Sequence, residues 1–451
     1  MLITNANLIT WEEPNRILES YDIFISEGRI ADIGPHIELI ERYPDEEKLD
    51  ARSQFVMPGN ICAHTHFYGA FSRGLAIPGE APQDFPEILS KLWWPLDKSL
   101  TQEEITVSVL ICLVDAIRHG TTTLIDHHSS PNAIPGVLDV ISQAVDKAGV
   151  RAVLCYEVTD RDGEDKTRLG IEENVRFIEK VRREKPAGGR IAATFGLHAS
   201  LTLSEATLNF CQYAIPEGVG VHVHAAEHEA DQYDSLAKAR LRVIDRLHKH
   251  SLLGPHTIVA HAVHVDAREI ALLASTGTWV THQPRSNMNN DVGVAPVESM
   301  LRAGVKVCMG NDGFSNAMWE EWKAAYLVHK LWHHDPRRMS GGDILRIGVI
   351  NNAALVNSFF PETPIGTIKV GAQADLIFVE YASPTPVTPA NLPYHILFGF
   401  HESLVTTTIV AGKILMRDRN LLTLDPRVIS ARARLLSLGV WERYRSFATD
   451  V

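Results

Sequence analysis

Two short stretches of the chain carry residue types able to polarise water. One is Val219-Gly-Val-His-Val-His-Ala-Ala-Glu227, where Val219, Val221 and Val223 alternate with Gly220, His222 and His224. A period of two belongs to a strand, so both histidines face away from the valines and Glu227 follows just past the pattern's end. The other is Ala63-His-Thr-His66, again two histidines at i and i+2 on one side of a strand. A single histidine is more often a satisfied core or surface residue than a ligand. Two such pairs, each closing a strand-like run, reverse that expectation. His261 and Asp312 close two further runs. Imidazoles and a carboxylate in this mixture suit a borderline divalent ion, Zn²⁺ ahead of Fe²⁺, with a position left for water. Such an ion lowers water's pKa from about 16 toward roughly 7. Glu227, Asp312 and His261 are the candidate proton carriers for hydrolysis.

These residues need a scaffold that brings distant strand ends together. Apolar strand-like runs occur at 55–66, 121–127, 151–158, 190–198, 219–226, 257–265, 278–283 and 305–312, with helical periodicity between them, as at 101–119 and 318–334. Eight such runs predict an α/β fold, a (β/α)₈ TIM-type barrel over 56–365, whose functional groups collect at the C-terminal strand ends. A doubly wound sheet is the rival, but no Gly-rich phosphate turn follows the first strand. Residues 1–55 and 366–420 read as β, with hairpins turning at Glu27-Gly28 and Ala411-Gly412. They predict a small β-sandwich built from both chain termini. Residues 421–451 predict a terminal helix, and the proline-bearing stretch 72–100 a lid.

Composition excludes several classes. A net charge of −12 without any Lys/Arg run argues against a nucleic-acid partner. Five cysteines lie scattered without CxxC spacing, which predicts reduced, buried thiols. No apolar run approaches the ~20 residues of a membrane span, and the N-terminus lacks the form of a signal peptide. The expectation is a cytoplasmic protein acting on a small molecule, with no membrane partner, as a homo-oligomer (dimer or larger).

The motifs Met57-Pro-Gly-Asn-Ile-Cys-Ala-His-Thr-His66, His222-Val-His-Ala-Ala-Glu227, Ala260-His-Ala262 and Gly310-Asn-Asp-Gly313 resemble those of the amidohydrolase superfamily, in its mononuclear deaminase and chlorohydrolase branch. Gly366-Thr-Ile-Lys-Val-Gly-Ala-Gln-Ala-Asp-Leu376 is similar to that family's return from the barrel, so the resemblance covers essentially the whole chain. His128-Ser-Ser-Pro131, Thr159-Asp-Arg-Asp162 and Arg285-Ser-Asn-Met-Asn-Asn290 further resemble the aminohydrolases called SsnA. The family pattern implies one divalent metal ion on His64, His66, His224 and Asp312. It makes Glu227 the proton shuttle and His261 the residue that orients water. The 190–198 run has no lysine to bridge a second metal. It also implies hydrolytic deamination of an amino-substituted N-heterocycle, a purine, pyrimidine or pterin.

Around this set stand weaker candidates. His222 shares a face with His224 one layer deeper and reads as packing. His198 either touches substrate or is structural. Of His127 and His128, one is expected to face the pocket and the other solvent. Arg285 and Asn287 could grip a ring carbonyl or carboxylate, the alternative being a loop arginine pinned by a salt bridge. Trp93 and Trp94 could stack on a flat ring or simply pack. Two rival functions are the same machinery acting on an amide or C–Cl bond, and an inactive barrel scaffold.

Overall fold

Parallel strands alternate with helices through the middle of the protein, whose computed structural model describes residues 1–448. The strands are Asn60–Thr65, Thr121–Asp126, Arg151–Leu154, a fourth split into Ile191–Ala193 and Phe195–Ala199, then Val221–Ala225, Ile258–His261, Trp279–His282 and Lys306–Met309. Almost all of their residues are buried, as in a parallel sheet covered on both faces. The helices between them have defined ends. Ala267–Thr276 starts on a capping box in which Asp266 Oδ1 accepts from Glu269 N–H (2.9 Å) and Glu269 Oε2 from Asp266 N–H (3.0 Å). It stops at Gly277, whose φ of 69° is left-handed.

The eight strands do not form one continuous ladder. The first three pair in order with Ile191–Ala193 as one sheet, and a second runs from Phe195–Ala199 to Lys306–Met309. One seam lies at Thr194, whose N–H donates to Leu154 O (3.1 Å) while its Oγ1 donates to Gly220 O (3.0 Å) across the break. At the other seam the first strand meets the last through a single bridge, Thr65 to Asp312. There Asn311 and Asp312 N–H donate to His64 O (2.9 and 3.1 Å), and His66 N–H donates to Asp312 O (3.2 Å). Gly310 permits this approach, because a Cβ there would lie 2.6 Å from His64 O.

The two termini meet in β structure, as the sequence predicts, though the strands pair in one ladder and not in two separate sheets. They form a single nine-stranded sheet. The reason is Phe55–Pro58, which pairs on one edge with Leu2–Ile9 and on the other with Leu376–Val379. The N- and C-terminal hairpins thereby belong to one continuous ladder, and their turns meet at Ala374, whose N–H donates to Gly28 O (3.0 Å) and whose carbonyl accepts from Gly412 N–H (3.1 Å). Both predicted turns are present, with Glu27/Gly28 at φ 48° and 77° and Ala411/Gly412 at 46° and 73°. Ile3, Ile23, Val56, Leu376 and Ile409 belong to a hydrophobic cluster of this sheet's own.

The terminal helix runs Pro426–Ala448; the last three residues of the 421–451 segment lie outside the described residues. It pins the 72–100 stretch from outside. Trp441 Nε1 donates to Phe71 O (3.0 Å), Tyr444 O–H to Lys91 O (2.5 Å) and Arg443 Nε to Ser99 O (2.7 Å). Far from an open loop, the stretch includes three short helical segments, Phe85–Ile88, Leu89–Trp93 and Trp94–Lys98. All five cysteines are buried and free. Among the described residues no helix is long and apolar enough to cross a membrane.

Candidate active site

The C-terminal strand ends deliver side chains to one pocket. His66, His198, His224, Glu227 and Asp312 line it, and from the 67–100 region come Tyr68, Phe85, Trp93, Trp94 and Asp97. At its floor the ring and carboxylate atoms of His64, His66, His224 and Asp312 lie within 4.8 Å of one another. Asp312 Oδ1 is 2.8 Å from His66 Nε2 and 3.3 Å from His64 Nε2, and His224 Nε2 is 3.3 Å from His66 Nε2. His64 Nε2 is buried without a hydrogen-bond partner among the described residues. Three imidazole nitrogens and one carboxylate oxygen converging in this way fit a divalent ion.

The outward nitrogen of each ring is held by a separate acceptor, which fixes the tautomer that presents Nε2. His224 Nδ1 donates to His198 O (2.7 Å), His66 Nδ1 to His127 O (2.5 Å), and His64 Nδ1 to His222 Nε2 (2.9 Å). His222 therefore does more than pack, because its ring orients His64. Ser286 Oγ donates to the second oxygen of Asp312 (2.5 Å).

Electrostatics separates the two carboxyls. Burial, reinforced by the nearby charge of Asp312, raises the Glu227 pKa well above the usual carboxylate range, which favours its protonated form. Burial acts the same way on Asp312, but the adjoining His64 and His66 side chains outweigh it and hold that group well below its ordinary value. Glu227 Oε2 lies 3.4 Å from His261 Nε2, and burial keeps His261 neutral. One acid and one base thus face each other beside the histidine cluster. His261 and Asp312 sit at φ 73° and 57°, left-handed values at which non-glycine residues are strained.

Other expectations change. Arg285 does not reach the pocket. Its Nε donates to Glu321 Oε1 (2.5 Å), it pairs with Glu320, its Nη2 donates to Ser315 O (2.7 Å), and it lies over the Phe314 ring. Two acidic residues opening the Met318–His333 helix have captured it. Asn287 turns its Oδ1 to His261 Nδ1 (2.9 Å), so it touches the candidate water-orienting residue and does not line the pocket. His198 and Trp93 do line the pocket. Neither His127 nor His128 faces solvent, since both are fully buried.

Three groups at or behind the pocket escaped the sequence reading. Asn290, the last residue of the 285–290 run, reaches the pocket and hydrogen-bonds Glu227. Asp97 is buried against Arg161 and Ser129, with its pKa raised by burial to about 6. Glu157 stands among His66, His127 and His198. Asn290 belonged to the 285–290 run and Asp97 to the 72–100 stretch, while Glu157 lay in the 151–158 strand run without any site expectation.

The amidohydrolase family pattern matches residues 55–415. The chain belongs to the amidohydrolase family. Among curated relatives, the 5-methylthioadenosine/S-adenosylhomocysteine deaminase of Haloarcula marismortui is 32% identical over 98% of this chain and 99% of the relative. The 5'-deoxyadenosine deaminase of Methanosarcina barkeri is 30% identical over 96% of each. Of solved structures, a zinc-bound adenosine deaminase from Xanthomonas campestris shares the fold at a TM-score of 0.84, with 23% identity over 99% of this chain and 98% of the other. Guanine deaminase from E. coli shares it at 0.79, with 19% identity over 92% and 99%. The protein is accordingly an enzyme of this hydrolase family, and the inactive-scaffold reading is set aside.

Proposed function

We propose that this amidohydrolase is a mononuclear metal-dependent deaminase of an amino-substituted purine-type heterocycle, with pyrimidine or pterin rings as the wider class. The observation that carries the reading is the meeting of four ligand-type atoms, from His64, His66, His224 and Asp312, with a protonated Glu227 beside a neutral His261. The names of the two curated relatives favour an adenosine-like substrate. We also read the two parallel sheets as arcs of one (β/α)₈ barrel over 56–365, flanked by the terminal β layer (1–55 and 366–420) and the helix from 421.

A divalent ion on the four ligands, zinc by preference, supplies a Lewis acid that makes hydroxide available near neutral pH. The protein's own groups then divide the work. His261, held by Asn287, orients the attacking water through Nε2. Asp312 accepts the proton that this water loses. Glu227 donates its proton to the ring nitrogen of the amidine under attack. That nitrogen then carries no negative charge as the amino-bearing carbon becomes tetrahedral. The proton taken up by Asp312 passes to the exocyclic nitrogen, which leaves as ammonia, and the new hydroxyl returns a proton to Glu227 as the carbonyl forms. Trp93, Tyr68 and Phe85 offer flat apolar faces for the ring, and His198 stands at the wall beside them.

The same machinery could expel chloride or cleave an amide, and product analysis separates the cases. The purified enzyme is given adenosine-type nucleosides, guanine, a pterin and a chlorinated triazine, and ammonia and chloride are measured. Ammonia from a purine-type substrate is the expected result. Chloride release alone, or ring opening without ammonia, sinks the deaminase reading.

A further inference from the structure

The ligand histidines are not backed equally. His64 leans on a ring nitrogen of His222 and His224 on a carbonyl. Besides the His127 carbonyl, His66 Nδ1 has Glu157 Oε1 at 3.3 Å. The same carboxylate faces His127 Nδ1 at 3.4 Å and His198 Nε2 at 3.7 Å. Glu157 is fully buried, and neither oxygen has a hydrogen-bond partner meeting normal geometry among the described residues. No Lys or Arg among them pairs with it.

Donor and acceptor bookkeeping sharpens the oddity. His127 Nε2 faces a carbonyl, His222 O, at 3.1 Å and so carries that ring's proton. In the neutral ring this leaves Nδ1 a bare lone pair turned to Glu157. A buried carboxylate without a donor is costly unless a positive charge answers it. Its position is also tightly held. Glu157 N–H donates to His128 O (2.8 Å), while the Asn174 side chain bonds both Tyr156 N–H (2.9 Å) and Tyr156 O (2.7 Å).

Resting on the metal site proposed above, we infer that Glu157 is a positioning residue. From behind His66 it sets that ring's angle and basicity, and its charge answers the ion on the ring's far side. The imidazole is the link, with its Nδ1 edge, bonded to the His127 carbonyl, also beside the carboxylate, and Nε2 toward the ion. Partners of this kind are worth 10–100-fold in metal affinity or activity.

The test measures ion binding apart from turnover. Wild type, Glu157→Gln, Glu157→Asp and, as a control, Asp312→Ala are each stripped and titrated with Zn²⁺ against a chromophoric chelator. Turnover is read separately. Glu157→Gln, which keeps the shape and loses the charge, is expected to bind Zn²⁺ roughly 10–100-fold more weakly, with kcat reduced and KM little changed. Glu157→Asp should recover part of the affinity. A purely structural role would lower the melting temperature of the stripped protein but leave Zn²⁺ affinity alone. Wild-type affinity in the Gln variant while Asp312→Ala loses the ion overturns the inference and leaves the metal site standing. If the Gln variant does not fold, the Asp variant decides, and undiminished affinity there overturns it. A wild-type protein that takes up no divalent ion removes both the inference and the reading beneath it.

Discussion

Asn287 Oδ1 lies 2.9 Å from His261 Nδ1, so the neutral His261 ring carries its proton on the side away from Glu227. The Nε2 facing Glu227 is then a lone pair, free to accept from water. Asn287→Leu keeps the volume and removes the acceptor, so the ring can turn or change tautomer. Turnover should fall by up to roughly 10²-fold, with Zn²⁺ content unchanged by elemental analysis. Full activity in Asn287→Leu would show that this bond does not set the ring.

Glu227 is the proton donor in the proposed reaction, and burial favours its protonated form. Glu227→Gln preserves size and hydrogen bonding without a transferable proton. Steady-state kinetics should show kcat down by roughly 10²–10⁴-fold, while the ion stays bound. Near-normal kcat would assign proton transfer elsewhere.

Arg285 is expected to support the fold and not the substrate. Its guanidinium answers Glu321, a carboxylate with no solvent exposure. Removing it leaves a buried charge unpaired, which costs roughly 3–5 kcal/mol. Urea unfolding of Arg285→Ala should show a loss of that order, with KM close to wild type in the folded protein. A large rise in KM without loss of stability would return Arg285 to the binding site.

Acid sensitivity has a definable contributor. Burial opposes ionisation of Glu205, but Arg246, Lys249 and His250 overcome it and bring its pKa down to about 2. The folded state then binds fewer protons than the unfolded chain, so this contribution is present above the ordinary glutamate pKa. It is lost as pH falls from there toward about 2. The stability gap between wild type and Glu205→Gln, from urea titrations at several pH values, should shrink across that window. A gap independent of pH would contradict the assignment.

That His64, His66, His224 and Asp312 come together was legible from the strand pattern joined to the family motifs, because strand periodicity is strict. Two histidines at i and i+2 cannot point to different faces, and Glu227 and Asp312 stand beside such strands. Asn287 could be named but not placed, since which way a residue of the short Pro284–Asn289 helix turns depends on packing. Arg285 misled because its captors, Glu320 and Glu321, arrive from a later helix that no local pattern ties to it. Glu157 left no trace at all, because its three histidines come from other strands. At the termini, alternation correctly marked strands and turns. It cannot say that Phe55–Pro58 pairs on both edges, and that pairing decides between one sheet and two.

The seam between the first and last parallel strands is closed by few backbone bonds, and they involve the same residues that bear His64, His66 and Asp312. An ion on those side chains would act as a rivet through the weakest course of the wall. Ion binding and strand closure then become one equilibrium, and saturation at 100 times Kd would add about 2.7 kcal/mol to stability. Stripping the ion should accordingly quicken amide exchange first at His66, Asn311 and Asp312, while the Thr194 seam keeps its native rate.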